Sequence, residues 1–288
     1  MKIWFNGFWS GFNPQDNFFI NTMRQEADVE VTPRGPDLVI RSVFPDPVRY
    51  SATRYTKTVL FSAESSWIRG RATYTFGADL GQSDRHQHFP CWLLFTNAFG
   101  GAGKAEPNVL SLEGPAFDHP RDLTCCQVVR NGRCQKRNQL FKEVSKAVGF
   151  VHSLGRYKRN SNILSTEGPW VPTKLAALQR FKLALCCENK SRRGYLTEKL
   201  FHGLWAGTVP IYWGDPGAGM TFNPERFINV HAHKPAQYLG MIRDIAANDD
   251  LRASILAKPM FTERQAEEVQ ALVTSIQQRI FEIMKACK

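Results

Sequence analysis

Apolar positions along this chain fall into short runs separated by turn residues, and the period of each run predicts its element. Residues 2–9 alternate in part between apolar and polar side chains, which predicts a strand. Residues 14–26 read as a helix, and residues 37–41, after the turn at 33–36, as a short buried strand. Two further strands are predicted at 58–63, running up to Glu64, and at 72–77. Gly, Pro, Asp and His then crowd residues 100–122, the best candidate for a linker between domains. Beyond it the pattern predicts a helix at 137–147, a strand near 148–151, a polar loop at 157–168 and a helix at 172–179. A strand at 181–187, a helix at 197–206 stopped by Gly207 and a strand at 209–213 make a βαβ unit. Near the C-terminus Val269, Leu272, Val273, Ile276, Ile280, Ile283 and Met284 recur at helical spacing, so residues 265–287 read as an amphipathic helix. Strands alternating with helices predict an α/β layer architecture.

Composition sets the scale of that architecture. The chain has 288 residues, 43% hydrophobic and 22% charged, enough for a sizeable core. At roughly 100–200 residues per domain it is one large domain or two ordinary ones. No run approaches the ~18 consecutive apolar residues of a membrane span. The N-terminus lacks the charged and smooth apolar regions of a signal peptide, so it reads as a first strand and the expected location is the cytosol. Seven cysteines, with adjacent pairs at Cys125-Cys126 and Cys186-Cys187, do not look like a disulfide framework.

Charge changes the picture more. Between Arg121 and Lys199, 17 Lys and Arg stand against 5 Asp and Glu, so this segment alone accounts for the net charge of +11. Such a field suits a nucleotide diphosphate, a nucleic acid or an acidic membrane surface. It equally suits a solvated basic face. A nucleic acid is disfavoured because the segment lacks interleaved aromatics and any nucleic-acid motif. The C-terminal amphipathic helix fits packing on the core, or peripheral contact with the inner membrane surface; its flanks carry both signs, which favours the core.

The most informative stretch joins the strand at 181–187 to the helix at 197–206. Gly194 leads to an N-cap at Thr197, and a first helical turn offers backbone N–H groups and the positive end of the helix dipole. Lys199, Arg192 and Arg193 add full charges, and the crevice lies at the carboxyl end of a parallel strand, where ligands of open α/β sheets sit. The same residues also serve a purely structural helix, with Thr197 and Glu198 as its cap. His86 with His88, and His231 with His233, each share a strand face, but no third ligand accompanies either pair and there is no Asp-x-Asp clamp. The expectation is that no metal is needed, full positive charges taking its place.

The run CENKSRRGYLTEKLFHGLWAGTVPIYWG from Cys187, followed by FNPERFINV from Phe222, closely resembles the signature of the family 10 fucosyltransferases: FEN, a short gap, GYVTEK, a helix, then T-[IV]-P-[IV]-Y-W-G and N-P-x-x-F-[IV]-N-V. Cys187 replaces the family's Phe and Leu196 its Val. Upstream, Arg137-Asn138 matches an Arg-Asn pair that opens a helix, and the strand ending in Glu64-Ser65 more loosely matches the segment carrying the acceptor-side carboxylate. Ala63 stands there for Gly and Ser65 for Asn. The resemblance runs from about residue 36 to 240, with its specificity in 187–230.

The resemblance implies a GT-B fold, two Rossmann-like domains facing across a cleft. Residues 1–118 would bind the acceptor, and residues 119–288, with the C-terminal helix, the donor GDP-fucose. It implies inverting transfer of L-fucose to a glycan, typically the 3-hydroxyl of GlcNAc in an N-acetyllactosamine-type acceptor, giving Lewis-antigen products of the Lewis-x kind. Glu64 is then the expected base, its pKa raised by burial, or else a surface carboxylate beside Arg69 and Arg71. Arg137 and Lys199 are expected on the diphosphate. Glu198 is expected at the sugar hydroxyls, and Asn189, Tyr195 and Thr197 in the donor loop. A transferase using another nucleotide sugar would share all but the base and sugar contacts.

Overall fold

The computed structural model describes residues 1–46, 50–65, 72–81, 83–99, 121–165 and 167–287. The chain divides into two compact units, one comprising Met1–Val109 with Val269–Lys288, the other Leu110–Glu268. Each is built on a parallel sheet, the two-unit α/β architecture of the GT-B class.

Among the described residues of the first unit six strands are ordered β2-β1-β3-β4-β5-β6 and all pair in parallel. They are β1 (Lys2–Asn6), β2 (Glu30–Val31), β3 (Leu38–Arg41), β4 (Lys57–Ser62), β5 (Tyr74–Gly77) and β6 (His86–His88). The central strands are covered on both faces, which is why β3 and β4 read as apolar runs rather than as alternation. Phenylalanines fill this core: Phe19 meets Phe61 and Phe76 edge-on at 5.9 and 5.4 Å, and Phe18 lies 4.6 Å from Phe89. Helix α1 (Phe18–Met23) is shorter than the pattern predicts. Asn17, with extended backbone, caps it by accepting from the N–H groups of Phe19 and Ile20 at 3.1 Å, and so fixes its start.

Among its described residues the second unit has five parallel strands ordered β11-β10-β9-β7-β8. These are β7 (Leu123–Gln127), β8 (His152–Ser153), β9 (Phe181–Cys187), β10 (Val209–Trp213) and β11 (Ile228–Asn229). Between them run α2 (Gln135–Val148), α3 (Trp170–Leu178), α4 (Glu198–Trp205) and α5 (Ala218–Thr221), and after them α6 (Pro235–Ala247) and α7 (Asp249–Leu256). The β9–α4–β10 crossover is the predicted βαβ unit. One core of this unit joins Leu140 and Val144 of α2 to Leu183, Leu185, Ile211, Tyr238 and Ile242.

Two expectations are corrected and one strand is added. The strand expected at 148–151 lies instead at 152–153: α2 runs to Val148, and Gly149, at φ +82°, ends it. Strand β7 escaped the pattern because LTCCQ lacks a β-branched or alternating run, yet it pairs on both sides within the sheet. Finally, the terminal helix α8 (Glu263–Ala286) does not belong wholly to the second unit, since from Val269 onward it is part of the first. There Val273, Ile276, Ile280 and Ile283 are buried, Ser275 donates to Gln87 Oε1 at 3.3 Å, and Arg279 donates to the carbonyls of Ser83 and Asp84. Its apolar stripe is therefore spent inside the protein rather than offered to a bilayer. No helix among the described residues is long and apolar enough to cross a membrane. The expected linker falls, except for Arg121 and Asp122, outside the described residues.

Candidate functional site

The residues that the sequence singles out meet at the carboxyl ends of β9 and β10. Strand β9 delivers Glu188 at its end, wholly buried, with its N–H held by Trp213 O of β10 at 2.8 Å. The Glu188 carboxylate accepts from Thr197 N at 2.9 Å and from Thr197 Oγ1 at 2.8 Å, and pairs with Lys199 Nζ at 3.1 Å. Lys199 also donates to Thr197 Oγ1 at 2.8 Å and lies 3.6 Å from Glu198 Oε1. The same oxygen of Glu198 is 3.6 Å from Lys174 Nζ of α3, whose ammonium donates to His202 Nδ1 at 3.1 Å. Two carboxylates and two ammonium groups thus interlock at the start of α4.

The expected capping by Thr197 is corrected. Thr197 is the N-cap residue, but its side chain caps nothing in α4 and turns to Glu188 instead. The N–H of Thr197 is taken by Glu188, and that of Gly194 by Asp215 Oδ2 at 3.0 Å. Gly194 adopts φ +79°, a left-handed turn that glycine accepts freely, and so presents its N–H to Asp215. The other Asp215 oxygen accepts from Gly217 N at 2.7 Å, so one buried carboxylate ties the loop before α4 to the turn after β10. His231, stacked on Trp213, adds a second tie: Nε2 lies 3.1 Å from Ser191 Oγ and 3.2 Å from Gly214 O. Gly214 is required sterically, since a Cβ there would sit 2.4 Å from Glu188 Cγ.

The charges respond to this enclosure. Burial on its own would raise the Glu198 pKa, but Lys199 and Lys174 overcome it and hold the carboxyl well below its usual range, hence ionised. Burial would lower the Lys199 pKa, yet Glu188 and Glu198 keep it above the ordinary lysine value, hence protonated. Burial dominates at the others: it raises Glu188 and lowers Lys174 and His202.

Arg137 sits in the first turn of α2, only 5% exposed. Its Nη2 donates to Asn131 O at 2.8 Å, while Nε is buried with no partner among the described residues. That first turn has no acidic residue and no side-chain cap, so its dipole and the guanidinium add up to unspent positive potential. Arg137 also acts electrostatically on Cys187, the last residue of β9, which places its field beside Glu188.

Of the expected donor residues, Thr197, Glu198 and Lys199 form one cluster. Tyr195 is buried and interacts with Lys199, whereas Asn189 is exposed at the start of the loop and joins no cluster. Arg192 is half-buried, and exposed Arg193 points Nη2 at Met220 Sδ, 3.9 Å away. Sequence reasoning assigned no role to Glu188, Asp215, Lys174 or His202. Glu188 could have been found from its place in the signature run; the other three carry no spacing signal.

Glu64 belongs to the first unit, two residues beyond β4, and it is exposed, with its N–H donating to Ser62 Oγ at 3.3 Å. The expected burial of Glu64 at the end of the apolar strand is corrected, because β4 ends at Ser62 and the side chain two residues on lies exposed. Arg69 and Arg71 lie outside the described residues. In the paired histidines, His86 Nδ1 meets Thr75 Oγ1 at 2.8 Å and Nε2 meets Asp79 O at 3.0 Å, while His88 Nδ1 is 3.2 Å from the same carbonyl. Those nitrogens serve local structure, and no group of three metal-ligating side chains occurs among the described residues.

A model of glycosyltransferase family 10 (fucosyltransferase), C-terminal part, matches residues 119–287. The chain is 41% identical over 84 residues to an alpha-(1,3)-fucosyltransferase of Helicobacter pylori, a stretch covering 29% of this chain and 18% of that protein. It is 31% identical over 83 residues to an alpha-(1,4)-fucosyltransferase of Arabidopsis thaliana, covering 29% of this chain and 19% of that one. The chain spans less than a quarter of the length of these curated relatives. The crystal structure of an alpha1,3-fucosyltransferase with GDP-fucose superposes with a TM-score of 0.70 at 18% identity, over 96% of this chain and 90% of the other. At that identity the agreement establishes the fold.

Proposed function

This chain belongs to glycosyltransferase family 10, the fucosyltransferases, and from that premise we propose that it moves L-fucose from GDP-fucose to a glycan hydroxyl with inversion. The observation that carries this reading is the cluster at the start of α4, a protonated Lys199 held by buried Glu188 beside an ionised Glu198, with the buried guanidinium of Arg137, its Nε without a partner among the described residues, in the same unit.

In the reaction the acceptor oxygen forms a bond to the anomeric carbon as the bond from that carbon to the diphosphate breaks. Arg137, a planar fork, and Lys199, a point charge, meet the negative charge that accumulates on departing GDP. They supply what a divalent cation supplies in other transferases, so no metal is proposed. Glu198, kept ionised, faces the positive charge developing on the sugar ring. Glu64 takes the acceptor proton; this role rests on the sequence resemblance alone. The basic segment from Arg121 to Lys199 is then the field that draws the nucleotide in, rather than a nucleic-acid surface.

The proposed acceptor is the 3-hydroxyl of GlcNAc in an N-acetyllactosamine-type chain, giving a Lewis-antigen product, and the proposed site of action is the cytosol. GDP release from GDP-fucose, measured with and without N-acetyllactosamine and alongside Glu64→Ala, tests the reading. Acceptor-dependent release, lost in the variant, is expected, with linkage analysis of the product separating 3- from 4-hydroxyl transfer. Release with a different nucleotide sugar only, or no binding of GDP at all, overturns it.

A further inference from the structure

Lys174 lies outside the signature run, on α3, yet it is the second cation of the cluster. Its side chain is 5% exposed. An ammonium can only donate, so the 3.1 Å contact makes His202 Nδ1 the acceptor and leaves a neutral imidazole with its proton on Nε2. Glu198 Oε1 therefore stands between two ammonium groups, Lys174 and Lys199, each at 3.6 Å, and Glu188 holds Lys199 from its other side at 3.1 Å. A cavity of about 20 Å³, room for one water, is lined by both lysines and Gln127 together with apolar side chains such as Leu178 and Leu185. Burial costs Lys174 part of its basicity and Glu198 restores some of it, as expected of a cation kept in place by that carboxylate.

The arithmetic of charge gives Lys174 its purpose. With Lys199 alone, one ammonium would face two carboxylates and its charge would be fully committed to them. With Lys174 the four groups balance. Resting on the donor-site reading above, we propose that Lys174 is a positioning residue for diphosphate binding: a buried counter-cation that takes up the charge of Glu198 and frees the ammonium of Lys199 for the anion. It touches no substrate, and acts through Glu198.

A double-mutant cycle on the full chain tests this, with GDP as the titrated ligand and affinity read by calorimetry. Lys174→Met is expected to weaken GDP binding about tenfold or more, the scale of one charge-assisted hydrogen bond. In the Glu198→Gln background the same substitution should change affinity by less than about twofold, because the charge it balances is gone. A merely structural lysine would weaken binding equally in both backgrounds, and that result overturns the proposal. If Lys174→Met alone does not fold, the comparison of Glu198→Gln with the double variant, in which both charges are absent, still decides: a loss of GDP affinity there overturns it, and equal affinity supports it. No GDP binding by the unaltered, folded chain would instead overturn the donor-site reading itself.

Discussion

Replacing Glu188 by glutamine should unmake the donor cluster without changing its shape. The carboxylate is wholly buried and accepts from Thr197 N at 2.9 Å and Thr197 Oγ1 at 2.8 Å, with Lys199 Nζ at 3.1 Å. Glutamine keeps one oxygen, enough for Thr197, but turns an NH₂ toward Lys199 or the Thr197 hydroxyl. The lost charge-assisted bond is worth about 1.5–3 kcal/mol. Breaking a fully buried ion pair by removing one partner costs about 3–5 kcal/mol. Lys199 is 23% exposed and keeps Glu198 at 3.6 Å, so the loss belongs near the lower limit, about 3 kcal/mol. For a unit of this size that lowers the melting temperature by about 6–12 °C. Thermal unfolding followed by circular dichroism reads the stability, and GDP titration at a temperature where both proteins are folded reads the site. Affinity should fall as well, because Lys199 loses the tether that aims it. A variant melting within about 1 °C of the parent, with unchanged GDP affinity, would refute the account of Glu188 as the element that orders Thr197 and Lys199.

Two more outcomes follow from the same geometry. His202 has its pKa depressed by burial and by Lys174, so below its ordinary value of 6.5 the unfolded chain binds a proton that the folded one refuses, and stability falls as pH falls. His202→Asn, whose amide oxygen can still accept from Lys174, should flatten that limb below pH 6.5 in urea titrations; an unchanged slope counts against it. Gly214→Ala would drive a methyl to 2.4 Å from Glu188 Cγ and 2.5 Å from the Tyr212 hydroxyl, so it should cost about 1–3 kcal/mol and abolish GDP binding, whereas a variant that binds normally would show that this contact yields.

The second unit was more legible than the first, and for a physical reason. Strand 181–187 and strand 209–213 are apolar runs bounded by turn residues, and the helix between them has a glycine just past its end, at φ +65°. Local signals of that kind survive in one dimension. Strand β7 did not show, because its five residues become a strand only by pairing with β8 and β9. Helix α1 was overextended because nothing local distinguishes Asn17 as a cap from the polar residues around it.

At the site the same division holds. The sequence by itself determined that a strand, a glycine-bearing loop and a helix would bring Thr197, Glu198 and Lys199 together, since these are neighbours within one turn. Only the tertiary structure decided what they do there. It brought Glu188 under Thr197, set Asp215 against Gly194 across a separation of 21 residues, and delivered Lys174 to Glu198 from another helix. It also left Glu64 exposed, where the end of an apolar strand had suggested burial. A chain's pattern fixes which residues are adjacent and which face a sheet presents. Charge pairing between elements depends on distances of a few ångströms across the fold, and burial decides the sign of each pKa shift, so neither can be read until the elements are packed.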